Sequence, residues 1–120
     1  MAAFWGNDSM RRLIHRADKN QPDVVKDLRK LGYSVKIVSM VGDDFPDLLV
    51  AKGWFSALVE IKNPERRGKQ ALPTEGQVEF RDNWSGLVIT ATSGLDAYNQ
   101  LEANRSGIIA EILDKHRKVA

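Results

Sequence analysis

No cysteine occurs among the 120 residues of the chain. Disulfides, thiolate zinc sites and cysteine nucleophiles are therefore excluded, and nothing points to an oxidising compartment. Histidine is nearly as scarce: His15 and His116 are the two present. Each lies beside basic residues at an expected helix end without a partner at metal-ligand spacing, which disfavours zinc hydrolysis and histidine-based nuclease schemes. No segment is apolar for long enough to span a bilayer. Met1 to Gly6 lack the basic start and apolar core of a secretion signal, so a cytoplasmic protein without membrane contact is expected. Glycine-rich phosphate cradles, internal repeats and low-complexity stretches are also missing, which weakens a nucleotide or small-phosphoester hydrolase reading.

Charge of one sign is in short supply too. A net charge of +2 and a pI near 9.0 are too small to establish nucleic-acid binding by themselves. Its distribution says more. Arg11, Arg12 and Arg16 precede the first expected helix; Arg66, Arg67 and Lys69 fill a loop after Lys62; Lys115 to Lys118 form a basic tail. The middle cluster is the best candidate for phosphate contacts, which position DNA without reading its sequence. For the tail, favourable cations at a helix C-terminus explain the pattern equally well.

The hydrophobic fraction of 42% suits one small domain. It is expected over residues 18–120, preceded by a basic segment, 1–17, that offers a possible dimer contact. Val24, Val25, Leu28 and Leu31 predict an amphipathic helix over Asp23 to Leu31, stopped by Gly32. Tyr33 to Val38 alternates as a strand, a hairpin supplies two more, and Thr74 to Trp84 reads as a helix. Leu87 to Ala91 is a short buried strand. Ser93 with Asp96 opens another helix, and Gly107 is expected to break it before a last stripe of Ile108, Ile109, Ile112 and Leu113. Trp5, Trp54 and Trp84 are assigned to packing, a hairpin tip and a helix end. The fold class is α/β: helix, three strands, helix, strand, helix, with a mixed sheet flanked by helices.

The chemistry concentrates in the hairpin. Lys52-Gly53-Trp54-Phe55 separates the apolar runs Leu48-Leu49-Val50 and Leu58-Val59-Glu60-Ile61 with a Gly-X loop of the type II′ kind. Pairing Lys52 with Phe55 sets Asp47 opposite Glu60, and the two-residue period puts Lys62 on the face of Glu60. Ala57, Val59 and Ile61 then face the core. Two carboxylates roughly 5 Å apart repel by roughly 3 kcal/mol at an effective dielectric near 20. A hard divalent cation removes that penalty and leaves positions for waters and a phosphate oxygen, while Lys62 orients water or neutralises developing charge. An isolated Asp with Glu-x-Lys reads as a surface ion cluster; acids placed inside such apolar strands favour the metal site.

Pro46-Asp47, an apolar strand and then Glu60-Ile61-Lys62 resemble the PD-(D/E)xK nuclease superfamily. Asp18-Lys19-Asn20-Gln21, Val41-Gly42-Asp43 and Leu72 to Phe80 extend the likeness to its small phage-associated VRR-NUC domains, from about Asp18 to about Ala97. The resemblance implies a restriction-endonuclease-like core and a Mg²⁺- or Mn²⁺-dependent DNA endonuclease, with a structure-specific enzyme for branched DNA among the options. It implies Asp47, Glu60 and Ile61 at the metal and Asp47, Glu60, Lys62 and Gln77 as the catalytic set. Thr74-Glu75-Gly76-Gln77 also fits a capping box, so Gln77 carries two readings. Gly76 in that turn is open to a close backbone approach or to no role. Many such domains carry an acid on the first helix; Asp18 and Asp23 are both candidates and neither is assigned. Asn20 and Gln21 read slightly better as helix capping than as site residues. A homodimer is expected, because two sites address two strands. The competing function is a catalytically silent nucleic-acid-binding or assembly module with the same fold.

Overall fold

Helix α1 (Gln21–Lys30) buries Val24, Val25 and Leu28 along one face, the spacing an amphipathic helix requires. Its end is a Schellman motif. Gly32 takes φ +94°, its N–H donates to the Arg29 carbonyl at 3.2 Å, and the Tyr33 N–H donates to the Leu28 carbonyl at 3.0 Å. Tyr33 and Leu28 are both core residues, so the motif's usual apolar contact turns the chain directly into the sheet. The computed structural model describes residues 19–63 and 72–119. Segment 1–17, Asp18 and the loop with Arg66, Arg67 and Lys69 lie outside the described residues.

Four strands follow: β1 (Ser34–Ile37), β2 (Leu48–Lys52), β3 (Phe55–Ile61) and β4 (Val88–Ala91), with helix α2 (Glu75–Asn83) between β3 and β4 and helix α3 (Gly94–Val119) last. They form one sheet in the order β1-β2-β3-β4, the first two pairings antiparallel and β3-β4 parallel. The chain is thus α/β with a four-stranded mixed sheet flanked by helices, as expected. Lys52 pairs with Phe55. Gly53 sits at φ +61°, and Asp43 and Asp44 are the non-glycine residues at positive φ among those described, so the loop is of the II′ rather than the I′ kind.

One face of the sheet carries Leu48, Val50, Phe55, Ala57, Val59, Ile61, Ile89 and Ala91 into a core shared with α1 and the first half of α3. Leu28, Leu48, Ile61 and Leu101 are essentially inaccessible, each worth about 1.5–3 kcal/mol of burial. Near the hairpin end, Lys52 Nζ lies 3.0 Å from Glu102 and over the Tyr33 ring, and Arg105 grips Glu102 at 2.8 and 3.0 Å. This network ties α3 to β2. Helix α3 begins where expected: Ser93 Oγ accepts from the Asp96 N–H, and the Asp96 carboxylate accepts from the Thr92 N–H.

The expected break at Gly107 does not occur, since α3 runs unbroken from Gly94 to Val119. A lone glycine costs a helix only about 1 kcal/mol relative to alanine, which its helix-forming neighbours outweigh. Among the described residues, no helix is long and apolar enough to cross a membrane.

Helix α2 lies on the other face of the sheet and differs in kind from α1. None of its residues is buried. It is anchored from the side by Phe80 and Trp84, stacked at 5.2 Å, with Phe45 edge-on to both at 5.3 and 6.1 Å. Asp43 and Asp44, consecutive at φ +54° and +62°, shape the loop that delivers Phe45, a conformation aspartate tolerates better than most residues. A Cβ on Gly76 would fall on the exposed Asp44 carboxylate, so a side chain there needs that carboxylate to swing aside.

Candidate active site

The site forms where β3 ends. Leu48 pairs with Val59, and the paired register stops there, one residue short of the expected Asp47–Glu60 pair. The ladder changes character at that step: the Asp47 N–H donates to the Val59 carbonyl at 3.1 Å, and Asp47 Oδ2 accepts the Ile61 N–H at 2.8 Å. A side-chain oxygen thereby does what a backbone carbonyl does elsewhere in the sheet. It fixes the Asp47 carboxylate against the backbone of the Glu60-Ile61-Lys62 run.

Glu60 is 7% exposed, unusual for a carboxylate without a built set of partners. Gln77 on α2 provides much of that set. Its Nε2 donates to Glu60 Oε1 at 2.7 Å, while its Oε1 accepts from Lys62 Nζ at 2.9 Å and from the Thr74 N–H at 2.9 Å. The Gln77 N–H in turn donates to Thr74 Oγ1 at 3.1 Å, which completes the capping box. The capping reading of Gln77 holds, and the same side chain also reaches Glu60 and Lys62. Two donors on Oε1 settle the amide's orientation, and Nε2 is left to face the carboxylate. Lys62 Nζ stands 4.0 Å from Glu60 Oε1 with its side chain 14% exposed.

Asn20 does not cap its helix, contrary to expectation. Its side chain makes no cap bond; Nδ2 donates instead to the carbonyls of Lys62, at 3.2 Å, and Thr92, at 2.6 Å. The start of α1 is strapped across the ends of β3 and β4, a long-range contact that no local pattern announces. Gln21 is buried and Asp23 is exposed. The side chain that the first turn directs inward is therefore an amide. Trp54 is exposed at the hairpin tip and Trp84 closes α2.

The donors at this end are oxygens: the Asp47 and Glu60 carboxylates, with Ile61 offering a main-chain carbonyl. Among the described residues, no group of three or more His, Cys, Asp or Glu side chains is gathered to hold a metal. Two carboxylates and water satisfy Mg²⁺ or Mn²⁺, so the donor chemistry fits either ion. Arg81 was not foreseen. Placed one turn after Gln77, it hydrogen-bonds through Nη2 to Thr90 Oγ1, and Thr90 is the β4 partner of Glu60.

Fold and site together define an α/β protein with a polar, acid-lysine-amide cluster at the carboxyl end of its parallel strand pair. No protein-family model matches the chain, and comparison with curated proteins and with solved structures gives no match.

Proposed function

We propose that the chain is a metal-dependent DNA endonuclease with a restriction-endonuclease-like core. The observation that carries this reading is the hydrogen-bonded set Glu60–Gln77–Lys62 beside Asp47, which collects two acids, an amide and an ammonium group at one end of an otherwise apolar hairpin. Asp47 and Glu60, with the Ile61 carbonyl, would hold the ion. A bound Mg²⁺ or Mn²⁺ supplies Lewis acidity toward a phosphate oxygen and a supply of nucleophilic hydroxide.

The protein's own groups do the rest. Lys62, oriented by Gln77 and close to Glu60, donates a hydrogen bond to the attacking water or to a non-bridging phosphate oxygen as charge builds there. The new bond joins the water oxygen to phosphorus, one ester P–O bond breaks, and the departing oxygen ends protonated. Gln77 keeps Lys62 and Glu60 from collapsing into a tight ion pair by standing between them. Arg66, Arg67 and Lys69, which follow the site in the chain, are assigned to the DNA backbone. A homodimer belongs to the same reading: Ile108, Ile112 and Leu113 are exposed on the second half of α3, and two-fold pairing supplies one site per strand.

The test is incubation with supercoiled, linear and four-way-junction DNA in Mg²⁺, Mn²⁺ or EDTA, alongside Glu60→Gln and Lys62→Ala. Cleavage that needs the metal and both side chains supports the proposal. Activity that survives either substitution refutes the mechanism, and no cleavage of any DNA leaves a nucleic-acid-binding module as the better description. Light scattering that finds only monomer at high concentration refutes the dimer.

A further inference from the structure

Arg81 stands out once the partners of α2 are traced. It is half-buried, yet its hydrogen bond goes to a neutral hydroxyl, Thr90 Oγ1. Its Nε is buried with no acceptor, and among the described residues no carboxylate pairs with it. A half-buried guanidinium whose one hydrogen bond goes to a hydroxyl keeps donors free for an outside acceptor. Arg81 is not a packing residue in disguise either, because α2 buries none of its side chains and directs Gln77 and Arg81, one turn apart, at the sheet.

The position gives the cation a meaning. Gln77 reaches Glu60 on β3, and Arg81 reaches Thr90, the residue paired with Glu60 on the neighbouring strand. Parallel neighbours lie about 4.8 Å apart, so Arg81 is one strand across from the acid that the proposed chemistry uses. We infer that Arg81 is the site's phosphate anchor: it takes a backbone phosphate of the nucleic acid next to the one being cut. The Thr90 hydroxyl holds Nη2, and with Nε buried it is the Nη1–Nη2 edge of the planar guanidinium that matches a phosphate as a fork. The inference rests on the nuclease reading and adds the residue that sets where the strand lies.

The experiment is fluorescence anisotropy of a labelled DNA duplex in EDTA, over a salt series, for the unaltered chain, Arg81→Gln, Arg81→Lys and Thr90→Val. One phosphate contact contributes about 0.9 to the slope of log K against log salt. Arg81→Gln should weaken binding and lower that slope by about 0.9, Arg81→Lys should keep the slope while binding less tightly, and Thr90→Val should keep the slope. Equal losses in Arg81→Gln and Thr90→Val at an unchanged slope would reduce Arg81 to a pin for α2 and overturn the inference. If Arg81→Gln fails to fold, protection of Arg81 from phenylglyoxal by bound duplex replaces it, and modification that DNA does not slow is equally fatal. An unaltered chain that binds no DNA overturns both proposals. Binding with the expected slopes but no cleavage in Mg²⁺ or Mn²⁺ overturns the nuclease reading alone.

Discussion

Gln77→Glu is the most revealing single substitution, because it changes one NH₂ into an oxygen and little else. Gln77 Nε2 lies 2.7 Å from Glu60 Oε1, a bond to a charged acceptor worth about 1.5–3 kcal/mol. Two carboxylate oxygens at that distance repel by about 6 kcal/mol at an effective dielectric near 20. The new charge is also drawn to Lys62, now 2.9 Å from Gln77 Oε1, with a nearly equal energy of opposite sign. These Coulomb contributions offset each other. What remains is the lost hydrogen bond, a net destabilisation of about 2–3 kcal/mol at pH 8.

The pH dependence of that loss is the sharper expectation. When one of the paired carboxyls is protonated, its O–H replaces the missing N–H donor, so the folded variant binds a proton more tightly than the unfolded chain. Stability relative to the unaltered chain should then be highest near pH 4.3 and below, and fall as pH rises above it. Urea denaturation in EDTA between pH 4.5 and 8 measures this. Gln77→Ala serves as control, since it loses the cap reciprocity and both side-chain bonds without adding a carboxyl. A Gln77→Glu deficit that is absent at pH 8, or that does not change with pH, would refute the proposed orientation of the amide.

Gly76→Ala sets a methyl against the exposed Asp44 carboxylate, which can turn into solvent, so it should cost no more than about 1 kcal/mol; Asp44→Ala in the same chain should recover most of it in a thermal melt. Glu102 is held below the usual carboxylate range, chiefly by the Lys52 hydrogen bond and also by those from Arg105. Its contribution to stability is therefore present above about pH 4.5 and lost as pH falls through the lowered value, and Glu102→Gln should remove that acid-side loss in denaturant midpoints. Burial first, and Glu102 second, push the Tyr33 phenol above its ordinary value. Stability should decline as pH rises beyond about 10, and Tyr33→Phe should flatten that alkaline limb in the same assay.

The hairpin was readable because its determinants are local: a two-residue Gly-X loop closes one pair, and strict alternation propagates the register as far as Leu48 and Val59 and puts Glu60 and Lys62 on one face; Asp47 lies beyond the paired register and is held by its side chain. The capping box at Thr74 was equally local. Likeness to a known pattern singled out Gln77 but not its contacts with Glu60 and Lys62, since spacing alone cannot bring α2 over β3. Asn20, Thr90 and Arg81 depend wholly on tertiary placement. Asn20 resembles an ordinary cap in sequence, and the ends of β3 and β4 compete successfully for its amide. Arg81 looks like a solvated helix residue because α2 has no apolar face to mark its inner side. Gly107 misled in the other direction, since a breaker's small intrinsic cost was given the weight of a boundary.

Asn20 ties the start of α1 to the ends of β3 and β4, Gln77 fastens the start of α2 beside Glu60, and Thr92 with Asp96 begins α3 at the same place. The three described helices consequently place their amino-terminal ends, each equivalent to roughly half a positive charge, near one region. A polyanion approaching two carboxylates would otherwise meet a repulsive field. The convergence of three macrodipoles adds a positive contribution at this end of the sheet that is built from backbone, one that no change of side chain would erase.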